Sequence, residues 1–324
     1  MVLPALWQGY RLQFKERETK LNNETEYTEF LELCKEKVEE LYGGNITAEI
    51  CGTVKNNGVE MYGLLLSREG ETIAPNFYLY PQYNRWKKGM ADLGMILREL
   101  KKAYTEELEK NKRIAEALCF DWETFRHRVF VRLVGRERNE KLLQDIPHDE
   151  YLDMALVYHY VIQVTEDTQG VLVLNKEHIL RLGITHEELR EAAMSNTKRE
   201  FPPVIVPMQE MVARMKSRCG MDLPGEIPES GMYVLSNAKG TYGAVAMTYT
   251  DLLEEFSNEA ESGFYILPSS VHEVILVPDD TMMTTEIFSG MVRHVNAEHV
   301  EETEVLTDSV YYYDRELHTV RRIA

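Results

Sequence analysis

From Phe264 to Asp280 the chain reads Phe-Tyr-Ile-Leu-Pro-Ser-Ser-Val-His-Glu-Val-Ile-Leu-Val-Pro-Asp-Asp, two apolar runs on either side of a short polar turn. β-Branched and aromatic residues bounded by proline and serine spell a hairpin, and a hairpin commits its region to antiparallel pairing. A lone two-stranded ribbon is marginal in water, so a larger sheet has to form around it. Beyond Gly231 the pattern predicts strand, turn, strand, helix, strand, turn, strand, helix, strand. The helices fall at 251–258, carried by Leu252, Leu253 and Phe256, and at about 286–296, carried by Ile287, Phe288, Met291, Val292 and Val295. Paired strands followed by a helix, used twice, give an α+β class: antiparallel sheets with helices packed on one face, built from strand-strand-helix units.

Upstream the same reading applies. The first twenty residues carry Arg11, Lys15, Arg17 and Lys20 with no sustained period and are expected as an extension. Asn23 with Glu26 reads as a capping box, opening a helix through Tyr27, Phe30, Leu31, Cys34, Val38 and Leu41 that Gly43-Gly44 ends. Strands are expected at 46–54, 59–67 and 73–80, with Asn56-Asn57-Gly58 supplying the positive φ angles of a tight turn. A long helix over about 88–111 follows, then strands at 129–134 and 151–164. Residues 171–174 pair back across a turn at 166–170, and Thr185 with Glu188 caps a helix running to about Asn196. Residues 217–231 hold Gly220, Pro224, Gly225, Pro228 and Gly231, the densest cluster of breakers, which marks a linker. The resulting division is an extension (1–20), a helix with a three-stranded sheet and a long helix (21–118), a central α+β region (119–222) and a C-terminal ββαββαβ module (223–324).

Charge narrows the partners. Between Asp251 and Asp308 fourteen acids face one base, Arg293, so this stretch holds most of the formal charge of −18. Such a surface repels phosphate backbones and anionic headgroups, which sets nucleic acid and membrane aside. The partner that this acidic C-terminal third suits is a basic protein. No apolar run approaches the ~20 residues of a bilayer-spanning helix. The start, Met-Val-Leu-Pro-Ala-Leu-Trp, lacks the basic flank and apolar length of a signal peptide. Cys34, Cys51, Cys119 and Cys219 show no C-x-x-C pairing, which argues against zinc or a disulfide framework and for free thiols in a reducing cytoplasm.

Three segments carry residue types that do chemistry. Ser269, Ser270, His272 and Glu273 at the hairpin tip offer a hydroxyl nucleophile, a base and an orienting carboxylate, the basis of a hydrolase alternative. A nucleophile elbow sits at a strand-to-helix turn between glycines. These serines lie between two strands, where serine and proline are ordinary turn formers, so exposed turn hydroxyls are expected. His148 and Asp153, in Pro147-His148-Asp149-Glu150-Tyr151-Leu152-Asp153, support a metal-dependent alternative. With the chain extended, His148 and Glu150 share one face; Asp149, Tyr151 and Asp153 take the other, with His159 on that second face. One histidine with one carboxylate is an incomplete metal site, and neither H-E-x-x-H nor D-x-D-x-D-G occurs. Residues 236–244 follow a strand but lack G-x-G-x-x-G and G-x-x-x-x-G-K-[ST]. They read as a loop leading into another strand, with Asn237, Lys239 and Gly243 placed to line a small-ligand mouth.

Lys55-Asn56-Asn57-Gly58-Val59, residues 139–143 with Pro147-His148, Leu152-Asp153, Glu188-Leu189 with Asn196-Thr197, residues 232–237 with Gly243-Ala244, and the 264–278 hairpin together resemble one domain-of-unknown-function family of gut Clostridia-type bacteria. The resemblance runs from about Asn23 to Tyr313. The C-terminal half is more distantly similar to YtpQ-like proteins of low-GC Gram-positive bacteria, which carry a shorter polar turn in place of Pro268–His272. The resemblance implies an intracellular bacterial α+β protein and assigns it no activity. The function expected is therefore that of a cytoplasmic, non-catalytic binding protein without metal or cofactor. Its binding candidates are Asn237, Lys239, Gly243, His148, Asp153, His272 and Glu273.

Overall fold

The computed structural model describes residues 20–69, 74–117, 121–163, 169–219, 231–279 and 283–324. Expectations for the N-terminal extension, Ile73, Cys119, most of the 166–170 turn and 220–230 of the breaker-rich stretch lie outside these residues. The protein is α+β, with three antiparallel sheets backed by helices.

In the N-terminal part, α1 (Lys20–Leu41) lies on a sheet of β1 (Thr47–Val54), β2 (Glu60–Ser67) and β3 (Asn76–Phe77). Phe30, Leu31, Cys34 and Val38 bury their helical face against Ala48, Leu64 and Leu66, and Ile96, Leu100 and Tyr104 close the cluster. The helix starts upstream of Asn23, which lies within it and does not cap it. The third strand is two residues long, because Tyr80 opens α2 (Tyr80–Lys87) with a proline in its first turn. The long helix α3 (Leu93–Ala117) begins after Gly89 turns in the left-handed region (φ 69). Asp92 Oδ1 accepts the Met95 N–H at 2.7 Å as its cap, so residue 88 ends one helix and does not start the next.

In the central part, after the single turn α4 (Trp122–Phe125), β6 (Met154–Gln163) runs through the middle of a sheet. β4 (Val129–Gly135) lies along one edge, and β5 (His148–Tyr151) and β7 (Gln169–Val173) share the other. Val129, Val131, Leu133, Leu156, Tyr158 and Tyr160 point to the main core and meet Leu189 and Ala193. Those two residues belong to α7 (His186–Glu200), which Thr185 and Glu188 cap as the sequence predicts. On the opposite face, Val134, Ala155 and Val157 lie under Leu143 of α5 (Glu140–Asp145). The short α6 (Lys176–Leu182) precedes α7, with Asn175 and His178 forming its capping box.

The remaining elements are β8 (Pro203–Pro207), α8 (Met208–Cys219), β9 (Tyr233–Asn237), α9 (Thr250–Ala260), β10 (Phe264–Ser270), β11 (Glu273–Pro278), α10 (Thr285–Glu298), β12 (Tyr311–Asp314) and β13 (Thr319–Arg322). They form one sheet of order β13-β12-β10-β11-β9-β8, with the β10–β11 hairpin at its centre. Its alternation is strict: Phe264, Ile266, Val274 and Leu276 face the main core with Leu253 and Phe256 of α9. Leu267, Ile275 and Val277 face Phe288 and Val292 of α10. β8 and β9, on either side of the breaker-rich stretch, are adjacent strands, with Ile205 opposite Leu235. The strand expected after the 236–244 loop is instead a 3₁₀ helix, Gly243–Thr248, buried from Gly243 to Met247. A short apolar run carries no period that separates strand from buried helical turn.

Candidate functional site

Residues 301–310, between α10 and β12, touch all three sheets. Asn56 Nδ2 donates to the Thr303 carbonyl, and Asn57 Nδ2 to those of Glu302 and Val305, each at 2.7 Å. The Asn57 N–H donates to Asn139 Oδ1 (2.8 Å), and Asn139 Nδ2 donates to Asn57 Oδ1 (3.1 Å) and to the Gly135 carbonyl (2.8 Å). Asn57 adopts φ 63, which asparagine tolerates better than other side-chain-bearing residues. At Gly135 a Cβ would collide with the Leu306 carbonyl oxygen. Arg138 donates to Asp308 (2.8 Å), and Asn296 to the Thr307 carbonyl (3.0 Å) and Asp308 (2.7 Å). The Asn-Asn-Gly turn is thus a tight turn whose side chains are spent on a distant loop.

Asp153 belongs to the same junction. Tyr311 (2.5 Å), Ser309 (2.7 Å) and Thr307 (3.2 Å) donate hydroxyls to its carboxylate, and Arg322 lies 3.5 Å away. Burial alone raises its pKa, but the hydroxyl bonds outweigh this and hold it below the ordinary carboxylate value. His148 does not join it: its Nδ1 lies 3.1 Å from the Ile146 carbonyl. The expected faces hold only for one continuous strand, whereas Leu152-Asp153 is a turn with Leu152 at φ 56. His148 pairs with Val157 and so shares a face with His159, whereas Asp149 pairs with Leu156 on the other side. Asp149 holds His186 (3.0 Å) and the Tyr158 hydroxyl. Among the described residues no three His, Cys, Asp or Glu side chains converge for a metal.

The hairpin tip and the 237–243 loop do come together. Asn237 Oδ1 accepts the Lys239 N–H (3.0 Å) and its Nδ2 donates to the Thr241 carbonyl (2.7 Å), which shapes the loop. The Gly243 N–H donates to the His272 carbonyl (2.9 Å), where a Cβ would strike Ser236, Asn237 and His272. His272 Nδ1 accepts the Tyr242 N–H (3.0 Å), so the ring proton sits on Nε2, 3.2 Å from Glu304. That hydrogen bond holds the Glu304 carboxyl low, while burial raises that of Glu273, with His272 opposing and Glu304 adding to the rise. Ser269 and Ser270 are 3% and 5% exposed, not solvated turn hydroxyls. The reason is Val271, which inserts into the core while its N–H donates to the Glu304 carbonyl (2.8 Å), so residues 301–310 cover the tip. Ser270 Oγ accepts the His272 N–H (3.1 Å), and Ser269 Oγ has no hydrogen-bond partner among the described residues.

Sequence reasoning passed over Arg132. Its guanidinium carbon lies 3.5 Å from the centroid of the Tyr242 ring, and Lys239 Nζ lies 4.3 Å from that of Phe201. The available signal was a charged residue in mid-strand, between Val131 and Leu133. A separate surface cleft of about 360 Å³ opens between α4 and α7, lined by Trp122, Arg126, Glu191, Ser195 and Arg199.

No helix among the described residues is long and apolar enough to cross a membrane. Neither the curated proteins nor the solved structures provide a match to the chain. Residues 27–315, most of its length, match a family model that spans all three sheets and the loop joining them, and the chain belongs to the Family of unknown function (DUF5688).

Proposed function

We propose that the protein is a cytoplasmic bacterial binding protein that catalyses no reaction and presents its acidic C-terminal third to a basic protein partner. The observation that carries this reading is the set of exposed carboxylates Glu255, Glu259, Glu286, Glu298 and Glu301 on α9, α10 and the loop after it. Other acids of the stretch are partnered within the fold, Asp251 by Lys198, Asp308 by Arg138 and Glu254 by His318. The exposed set supplies a field that steers a cationic surface. The groups that suggested catalysis are engaged elsewhere: His272 Nδ1 accepts a backbone N–H, and Asp153 accepts three hydroxyls. The bacterial, intracellular setting rests on the resemblance to the gut Clostridia-type family and, more distantly, to YtpQ-like proteins.

Capture from native lysate at low and at high salt tests the proposal. The expected result is a basic protein whose capture falls as salt rises and falls again in a Glu255→Lys, Glu259→Lys variant. Retained nucleic acid, a partner indifferent to salt, or labelling of Ser269 by a fluorophosphonate probe would overturn it. So would about one transition metal per chain by elemental analysis, which would favour the metal-dependent alternative.

A further inference from the structure

One face of the central sheet carries the cationic Arg132 in a chain of formal charge −18. Arg132 lies beside Phe130 on this face, about 7 Å along the strand. Among the described residues its guanidinium has no carboxylate partner and is stacked on Tyr242 instead. Tyr242 is itself fixed, at φ 54 with its N–H held by His272. Stacking uses the flat face of a guanidinium and leaves the N–H groups along its edge free to form a fork. Lys239, exposed on the neighbouring loop, likewise rests on Phe201, and Phe201 meets Phe130 edge-on at 5.4 Å. His159 pairs with Phe130 across the strands, so it shares the face of Arg132. It is 7% exposed, and its buried Nδ1 has no hydrogen-bond partner among the described residues. Burial, with the Arg132 charge adding to it and a hydrogen bond to the Val157 backbone opposing, pushes the ring down to about 3, so His159 is neutral near pH 7 and adds no charge to this face.

We infer that Arg132 and Lys239 form a binding site for a small oxyanion, a carboxylate or a phosphate group. Two cations held on aromatic faces, with N–H groups unpaired among the described residues, suit one planar or tetrahedral anion. The abundant acids elsewhere oppose an extended polyanion, whereas a single anion is held by contacts well inside the ~8 Å screening length. This site is separate from the acidic face and of opposite sign, so it stands or falls independently of a basic partner.

Isothermal titration calorimetry on the full chain tests the inference, with inorganic phosphate and succinate as probes and ionic strength held constant with sodium chloride. The expected result is one saturable site per chain for at least one probe, and the preferred probe tells phosphate from carboxylate. Arg132→Gln and Lys239→Gln should each weaken binding by about tenfold or more. Lys102→Gln, on an exposed side chain of α3, should leave it unchanged. Lys239 is an exposed loop residue, so its variant remains informative even where Arg132→Gln fails to fold. Absence of saturable binding up to about 10 mM of either probe overturns the inference. So does binding that survives Lys239→Gln intact, or that falls equally in Lys102→Gln.

Discussion

The buried His159 and the half-buried Asp153 both make this protein less stable in acid. His159 is held down to about 3, first by burial and then by the Arg132 charge. The unfolded chain therefore takes up a proton near pH 6.5 that the folded chain refuses, and stability falls as pH drops from there toward 3. Asp153 adds a second loss. Its carboxyl is held below the ordinary value because Tyr311, Ser309 and Thr307 donate to the ionised form, overcoming the opposing effect of burial. Its contribution is complete above the unfolded value of about 3.9 and disappears as pH falls through the lower folded value. Denaturation midpoints measured from pH 7 to pH 3 should thus decline in two stages. His159→Gln should flatten the upper stage and Asp153→Asn the lower one; a variant that shifts every midpoint equally would contradict the assignment. Neither role was legible in the sequence. A histidine inside a strand reads the same whether its neighbours are waters or a guanidinium, and the hydroxyls around Asp153 come from more than 150 residues downstream.

The β10–β11 hairpin was the most legible element, because alternation between two packed faces leaves a period of two in the sequence. Its tip was not, since turn chemistry specifies local geometry and says nothing of what covers it. The two serines there now separate in behaviour. Ser270→Ala removes an acceptor from the His272 N–H and should cost about 1 kcal/mol. Ser269→Ala removes a buried hydroxyl that has no partner among the described residues, so it should be neutral or mildly stabilising. Val274, fully buried between β10 and β9, has no water or partner to offer an acid. Val274→Asp should therefore abolish folding or cost several kcal/mol. Urea titrations of the three variants give the order directly, and a Ser269→Ala penalty as large as that of Ser270→Ala would point to an unseen partner for its hydroxyl. Helices followed the same division. The Thr185–Glu188 box announces α7, whereas the box of α6 uses Asn175 and His178, a pairing outside the usual Ser/Thr-x-x-Glu/Gln pattern. The 3₁₀ helix at Gly243–Thr248 is apolar throughout, and the same letters serve a buried strand.

Three sheets meeting at one loop make an assembly whose parts are coupled through few residues. The N-terminal sheet reaches the rest through Asn56, Asn57 and Gly58 at the β1–β2 turn, and through α3 where it approaches β6. Three of the motifs that carry the family resemblance, the Asn-Asn-Gly turn, Asn139 and Leu152-Asp153, sit at this junction and mark where the chain holds itself together. From sequence the turn was evident, but its acceptors lie some 245 residues away, a distance no local pattern spans. Asn57→Ala deletes two hydrogen bonds to the loop and a third from Asn139, and places alanine at φ 63. At about 1 kcal/mol for each bond and 1–2 for the left-handed backbone, the cost should be about 4–5 kcal/mol. Asn57→Gly, which relieves the backbone, should cost less. Because this junction links one sheet to the other two, the loss should also be uneven. The parent protein is expected to unfold with coincident transitions by circular dichroism and by fluorescence from Trp86 and Trp122, which lie in different parts of the fold. In Asn57→Ala the part containing Trp86 should melt first and split the transition in two. A variant that still unfolds in one step at a lower midpoint would show that the packing of α3 against β6 suffices for the coupling.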